Sequence, residues 1–371
     1  MPAPFLLPPS LAQQRIAVLL SGGVDSSVVV CELARLGLHP DCFYIKIGGT
    51  PTPDSDEWDC SMEEDLEMAT AVARKYGCRL EVVDCHEEYW SQVTRYTMEK
   101  VRAGLTPNPD VMCNRLIKFG AFHEKCGHAY DLIATGHYAQ TETDGEGRKW
   151  LTTSPDPVKD QTDFLAQIYD WQLRKALFPI GHYMKDDVRQ IAEREHLVSA
   201  HRKDSQGICF LGKINYNEYL RRFLGEQEGD VVEIETGRRI GSHRGHWFHT
   251  IGQRKGMGLG GGPWFVIKKD IEHNTVYVSH GYNPDSAYSQ HFAIRDFHAL
   301  TLPLSELIAV SPTVTFKIRH TPEFFTATIE PQPDGTYMVH STERIHGVAP
   351  GQFCVVYDAG HHRCFGSGEI M

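Results

Sequence analysis

Leu19-Leu20-Ser21-Gly22-Gly23-Val24-Asp25-Ser26-Ser27 follows directly on a short β-rich run, Ile16–Leu20, and opens a helical pattern through Val28, Cys31 and Leu36. Strand, glycine turn and helix in that order put the turn at a strand's carboxyl end, where sheets of this kind bind ligands. Two glycines let the backbone approach an anion closely, Ser21, Ser26 and Ser27 add hydroxyls, and the helix start supplies oriented N–H groups. The segment is a place to hold phosphates, although Gly-Gly alone would serve equally for packing helix on strand. It is not a Walker loop, because no G-x-x-x-x-G-K-[ST] string is present and no lysine in it reaches toward a γ-phosphate.

Working outward, β-rich runs recur at Cys42–Ile47, Leu80–Val83 and Leu132–Thr135, separated by helical segments. In one of these, Met62, Leu66, Ala69, Ala73 and Tyr76 mark a single face and Gly77 follows as a stop. Strands alternating with helices predict an α/β unit built on a parallel sheet. From Gln161 to Leu197 the pattern is mostly helical, broken at Pro179-Ile180-Gly181. After Gly212 the texture changes, and from Val231 onward short alternating strands and glycine turns predict small β-domains, sandwich or barrel. The domains expected are 1–212, 213–284 and 285–371, with soft boundaries near Lys213 and Pro284.

The chain has 371 residues, enough for two or three domains and more than one buried core. Hydrophobic residues at 41% and charged residues at 23% sit near soluble globular averages and argue against a disordered, collagen-like or membrane-embedded chain. A net charge of −11 excludes a surface coated with cations, so any polyanion needs a local basic patch. Met1–Gln14 lacks Lys and Arg and is broken by four prolines, unlike a signal or transit peptide. No run approaches the ~20 apolar residues that cross a bilayer. A cytosolic protein is expected. Its ten cysteines include no C-x-x-C pair and are expected as free thiols, mostly small core residues.

Two cysteines have a context of their own. In Thr106-Pro107-Asn108-Pro109-Asp110-Val111-Met112-Cys113-Asn114, two prolines fix the backbone, Asp110 can cap a helix, and Cys113 would fall in its first turn, where a thiol is more acidic. Cys209, in Gly207-Ile208-Cys209-Phe210, follows the basic His201-Arg202-Lys203 and reads equally as an activated thiol or as part of a buried strand.

The S-G-G-x-D-S-S string resembles the pyrophosphatase loop of the PP-loop superfamily, whose members cleave ATP between the α and β phosphates and adenylate a substrate oxygen. Joined to Asn-Pro-Asp-x-x-Cys-Asn ending at Asn114, Ala-Thr-Gly-His-Tyr at 134–138, Lys-Asp-Gln at 159–161, Gly207–Phe210, Gly252-Gln253-Arg254 and Ala349-Pro350-Gly351-Gln352, it resembles the tRNA-specific 2-thiouridylase family (MnmA type) along the whole chain.

That resemblance implies a PP-loop catalytic domain, a central tRNA-binding domain and a C-terminal β-barrel. It implies ATP, with Mg2+, on Leu19, Leu20, Ser21, Gly22, Gly23, Val24, Asp25, Ser26, the Ile45 backbone and Gly136. Cys209 would carry a persulfide, and Cys113 would release its sulfur or close a Cys113–Cys209 disulfide after transfer. Asn108, Pro109 and Asp110 would contact the target base, and Lys159, Asp160, Gln161, Arg319 and His320 the tRNA. The tRNAs implied are those for Lys, Glu and Gln, with the wobble uridine as target and a cysteine desulfurase or relay protein as sulfur donor. An iron–sulfur cluster on Asp110, Cys113 and Cys209 is a further use of the same residues, although clusters ordinarily take three or four thiolates. His137 reads as a histidine packed at a strand end more readily than as a base.

Charge is uneven. Eight acidic residues fall between Asp54 and Glu67, while Thr236–Lys269 has none against seven basic ones and also carries His243, His246, Trp247 and His249. That stretch suits phosphate contacts and stacking on a flipped base. Two other readings compete: a PP-loop ligase forming amides, with no use for Cys113 and Cys209, and a non-catalytic tRNA-binding protein.

Overall fold

The computed structural model describes residues 5, 13–48, 59–204, 216–281 and 285–371. Its strands are β1 (Ile16–Leu19), β2 (Asp41–Lys46), β3 (Leu80–Asp84), β4 (Leu132–Ala134), β5 (Gln140–Thr143), β6 (Lys149–Thr152), β7 (Ala176–Leu177), β8 (Gly229–Glu233), β9 (Arg239–His243), β10 (Trp264–Asp270), β11 (Thr275–His280), β12 (Tyr288–Ala299), β13 (Thr313–Lys317), β14 (Phe325–Pro331), β15 (Tyr337–His346), β16 (Phe353–Tyr357) and β17 (Arg363–Ile370).

The first sheet runs β3-β2-β1-β4-β7 and is parallel throughout. β1 is apolar on both faces: Ala17 and Leu19 join one core, Ile16 and Val18 the other. That is the pattern of a strand covered by helices on both sides. On one side lie helices Val24–Arg35 and Asp59–Lys75, whose Val28, Val29, Leu33, Ala69 and Val72 are buried. On the other lies the helical stretch from Pro109 to Lys125, with Val111, Ile117, Phe119 and Phe122 turned inward. The order reverses at β1, with β2 on one side and β4 on the other, so their following loops part and leave a crevice at the carboxyl ends.

The middle sheet runs β10-β11-β8-β9 around Val231, Val266, Val276 and Val278. The last is an antiparallel barrel, β12-β15-β14-β13-β16-β17, closed by β12 on β17. It does not end there. The β5–β6 hairpin of the first domain adds to β17, with Leu151 opposite Cys364 and Thr152 opposite Arg363. Lys317 of the barrel and Asp160 of the first domain meet at 3.3 Å, 1% and 2% exposed. The expected boundaries near Lys213 and Pro284 lie outside the described residues.

Candidate active site

The crevice beyond β1 and β4 is a cavity of about 380 Å³. Of the residues expected at a nucleotide, Leu19, Leu20, Ser21, Gly23, Val24, Asp25, Ser26, Ile45 and Gly136 line it, and so do Cys113, Lys159 and Gln161. Gly22 stands behind the turn. Its φ of +78° belongs to glycine, and a Cβ there would fall 2.2 Å from the Asp65 carbonyl oxygen. Gly136 is required by approach rather than conformation, because its Cβ would meet the Ser26 nitrogen at 2.9 Å.

The turn is held open by its own hydroxyls. Ser26 and Ser27 donate to the Gly23 carbonyl at 3.1 and 2.8 Å, and Ser26 Oγ accepts from the Ser21 N–H at 3.2 Å. Gly23 caps helix Val24–Arg35 without a side-chain acceptor, which leaves the N–H groups of the first turn for an anion.

Charged side chains from distant segments, some lining the cavity and some bracing it from behind, meet around the turn. Asp25 Oδ1 accepts from the Tyr138 hydroxyl at 2.8 Å and pairs with Lys185 Nζ at 2.7 Å. Lys185 also reaches Asp204 at 2.9 Å, where Lys159 and Arg189 converge at 2.8 and 2.6 Å. Burial alone would raise the Asp204 carboxyl, but Lys159 and Lys185 hold it down to about 2. Arg202 pairs with Asp65 and donates to the Gly22 carbonyl. Lys118, Lys159, Arg202 and Lys203 thus face Asp25, Asp65 and Asp204 across a basic-lined cavity in an acidic chain.

His137 is buried, with Nδ1 2.8 Å from Thr135 Oγ1 and Nε2 3.5 Å from Lys118 Nζ. Burial, and then Lys118, keep the imidazole well below its usual range, so it is neutral and packed at the end of β4. Lys185, Tyr138, Asp65, Arg202 and Lys118 were not expected here. Lys185 carried a readable signal: it is the first residue of helix Lys185–Arg194, a cation at the end where the dipole disfavours one.

The cysteine helix starts earlier than expected. Asn108 is its cap, accepting from the Val111 N–H at 3.3 Å, Pro109 is its first residue, and Asp110 lies in the first turn. Cys113 therefore lies beyond that turn and is 3% exposed, so a thiol at a helix start does not describe it. A stretch of wide turns, Asn114–Ala121, continues the helix. Cys209 lies outside the described residues, as does its distance from Cys113.

Asn108 and Pro109 line a second cavity, of about 310 Å³, between the three domains. Asp160 touches neither: its carboxylate is taken by Lys317, the Thr162 hydroxyl and the Ser154 N–H, which seals it inside the domain junction. Arg319 donates to the carbonyls of His346 and Gly347, and His320 sits 3.2 Å from Asp163 with its ring packed at a tilt against Phe164. The basic stretch of the middle domain is only partly a surface. His243, His246 and His249 are buried, the first two bonded to Asn274, and Lys269 turns in to the His249 carbonyl. Arg238, Arg239, Arg244, Arg254, Lys255 and Lys268 remain exposed.

Three family models match in succession: the tRNA methyl transferase HUP domain over residues 14–213, the tRNA methyl transferase PRC-barrel domain over 217–280, and the aminomethyltransferase beta-barrel domain over 289–370. A tRNA-specific 2-thiouridylase MnmA of Bacteroides fragilis is 60% identical over 355 residues, 96% of this chain and 99% of its own length. The chain belongs to the MnmA family of tRNA-specific 2-thiouridylases. MnmA proteins of Bacteroides thetaiotaomicron and Porphyromonas gingivalis are 58% and 56% identical, each over 96% of this chain and 99% and 98% of their own. As in the MnmA reading of the sequence, one parallel-sheet domain, a small central domain and a closed antiparallel barrel follow one another. No helix among the described residues is long and apolar enough to cross a membrane.

Proposed function

We propose that this chain is an ATP-dependent tRNA sulfurtransferase that replaces the C2 oxygen of the wobble uridine with sulfur. One observation carries the reading: Cys113 lines the same cavity as the glycine turn of residues 19–26, so a thiol and a nucleotide's phosphates share one space. An amide-forming ligase has no use for that thiol.

The C2 oxygen of uridine is a poor leaving group. Its attack on the α-phosphate of ATP expels pyrophosphate and leaves an adenylated oxygen, which departs as AMP when sulfur adds to C2. The first-turn N–H groups and the Arg202 and Lys203 side chains meet the phosphate charge. Asp25 would hold magnesium with the phosphates, and that ion supplies further charge neutralisation when bound.

Cys209 carries the sulfur as a persulfide, delivered by a cysteine desulfurase or a relay protein. In one route the Cys113 thiolate attacks the inner sulfur, freeing hydrosulfide and forming a Cys113–Cys209 disulfide. In the other the outer sulfur attacks C2, AMP leaves, and Cys113 then attacks the Cys209 sulfur, releasing 2-thiouridine with the same disulfide. A two-electron thiol reductant resets either.

Asn108, Pro109 and Asp110 approach the target base, and Lys159 and Gln161 the tRNA, with Asp160 fixing the turn between them. Arg319 and His320 extend the contact to the barrel. The substrates are the tRNAs for Lys, Glu and Gln, and the reaction is cytoplasmic. The catalytic unit is 1–212, the central tRNA-binding unit 213–284 and the barrel 285–371.

Nucleoside mass spectrometry of tRNA incubated with ATP and a persulfide donor tests this. Cys113→Ser and Cys209→Ser should each abolish 2-thiouridine while tRNA-dependent pyrophosphate release persists. Unchanged thiolation in either variant would overturn the mechanism, and tRNA binding without pyrophosphate release would leave only a binding protein. Near-stoichiometric iron and sulfide in active, anaerobically purified protein would instead assign Asp110, Cys113 and Cys209 to a cluster.

A further inference from the structure

The second cavity, of about 310 Å³, is built from all three domains, and apart from Asn108 and Pro109, at its edge toward the target base, its wall has no part in the chemistry above. Asn108 and Pro109 come from the start of the cysteine helix, Tyr216, Trp247 and His249 from the middle domain, and Gln352 from the barrel. The junction is constructed. The Thr106 N–H donates to the Pro350 carbonyl at 2.8 Å, and Gly351, at φ +92°, lies so close that a Cβ would sit 2.7 Å from Leu105 Cβ. Gln253 Oε1 accepts from the N–H of Thr250, another wall residue, at 2.9 Å. The Gly252-Gln253 and Ala349–Gln352 segments, unexplained by the chemistry, thus both shape this space.

Its chemistry is specific. No residue of the wall carries a full charge, since His249 is 8% exposed and neutral, so the pocket does not suit a phosphate. A pocket without a charged wall residue, and with Tyr216, Trp247 and His249 in its wall, fits a flat, uncharged ligand. A nucleobase is such a ligand, and base-on-aromatic stacking is how single-stranded RNA is held.

Position decides which base. From Pro109, on this cavity, to Cys113, on the nucleotide cavity, the helix advances four residues, about 6 Å. Both cavities are therefore within reach of one RNA strand. Resting on the function proposed above, we propose that this inter-domain pocket binds a second, unreacting base of the same tRNA, a neighbour of the uridine being thiolated, stacked on Trp247. The Asn108–Pro109 turn is the partition between the two bases.

The test uses the full chain and a synthetic anticodon stem-loop with the target uridine, either intact or with one flanking base removed to leave an abasic sugar. Binding is read by fluorescence anisotropy and thiolation by mass spectrometry. Removing one flanking base should weaken binding to the wild-type protein by about 5- to 100-fold. Trp247→Ala should weaken intact RNA by a similar factor and the abasic RNA no further, while Trp247→Phe should retain most of the affinity. Equal losses for Trp247→Ala on both RNAs, or no effect of either abasic site on the wild type, would overturn the proposal. Loss of a sulfur donor's binding with RNA affinity intact would reassign the pocket to a protein and overturn it as well. The wild-type comparison needs no variant to fold, and it reads binding alone, so absence of thiolation would sink the function and leave this result legible.

Discussion

Lys185 Nζ lies 2.7 Å from Asp25 Oδ1, joining a helix start 160 residues downstream to the glycine turn. The turn lacks a lysine of its own, and the fold brings one to it. The same ammonium touches Asp204, so a single cation ties the turn to the segment that leads toward Cys209.

Lys185→Met should therefore weaken ATP binding and pyrophosphate release by about 10- to 100-fold, the worth of a lost hydrogen bond between charged groups. Isothermal titration with ATP and a pyrophosphate assay check this. Unchanged affinity would show that Lys185 serves only to neutralise Asp25 and Asp204.

Gly22→Ala asks an L-residue to adopt φ +78° and drives a Cβ into the Asp65 carbonyl. The conformation alone costs about 1–2 kcal/mol, and the contact forces helix Asp59–Lys75 to move. A lowered melting temperature with loss of ATP binding is expected. Gly23→Ala, whose Cβ would come no nearer than 3.5 Å to Ser21 Oγ, should keep much more of its stability.

Lys317→Met leaves the Asp160 carboxylate buried with only Thr162 and Ser154 as partners. Breaking a buried pair from one side costs about 3–5 kcal/mol. Denaturant unfolding should show that loss, and adding Asp160→Asn should recover part of it, because no uncompensated charge is then left inside.

Acid should destabilise the middle domain before carboxylates titrate. Burial, and then neighbouring cations, push His249 down to about 4, and burial lowers His243 and His246 too. The folded state binds fewer protons than the unfolded one in this range, so stability is complete above about pH 6.5 and falls as pH drops toward 4. For His249 the full effect is about 3 kcal/mol. Melting temperatures between pH 7.5 and 4.5 should fall, and His249→Phe should flatten the curve.

The sequence disclosed what depends on local order. A strand followed by Gly22-Gly23 and a helix defines the turn, and the four β-rich runs are β1 to β4: central β1 and β4 are apolar because both their faces are buried, while edge strand β3 shows itself by β-branched Val82 and Val83 although Val82 is exposed. Partnerships across the chain were hidden. Nothing local ties Lys185 to Asp25 or Asp160 to Lys317. The sequence offers Asp110 as the cap because Pro109 hides how early the helix begins, while Asn108 makes the bond. The histidines near Trp247 suggested an RNA surface, but Asn274, about 30 residues on, draws two of them inward. The β5–β6 hairpin has no apolar run that marks it, and what anchors it, the pairing of β6 with β17, lies over 200 residues away.

That pairing makes the C-terminal third inseparable from the rest. A fragment ending before β12 would present β6 with its hydrogen-bonding edge bare and Trp150 stripped of its cover, an invitation to associate with other copies. Heat should consequently melt the outer two units together, in one calorimetric peak, and attempts to trim the protein to a minimal ATP-cleaving piece should yield insoluble material.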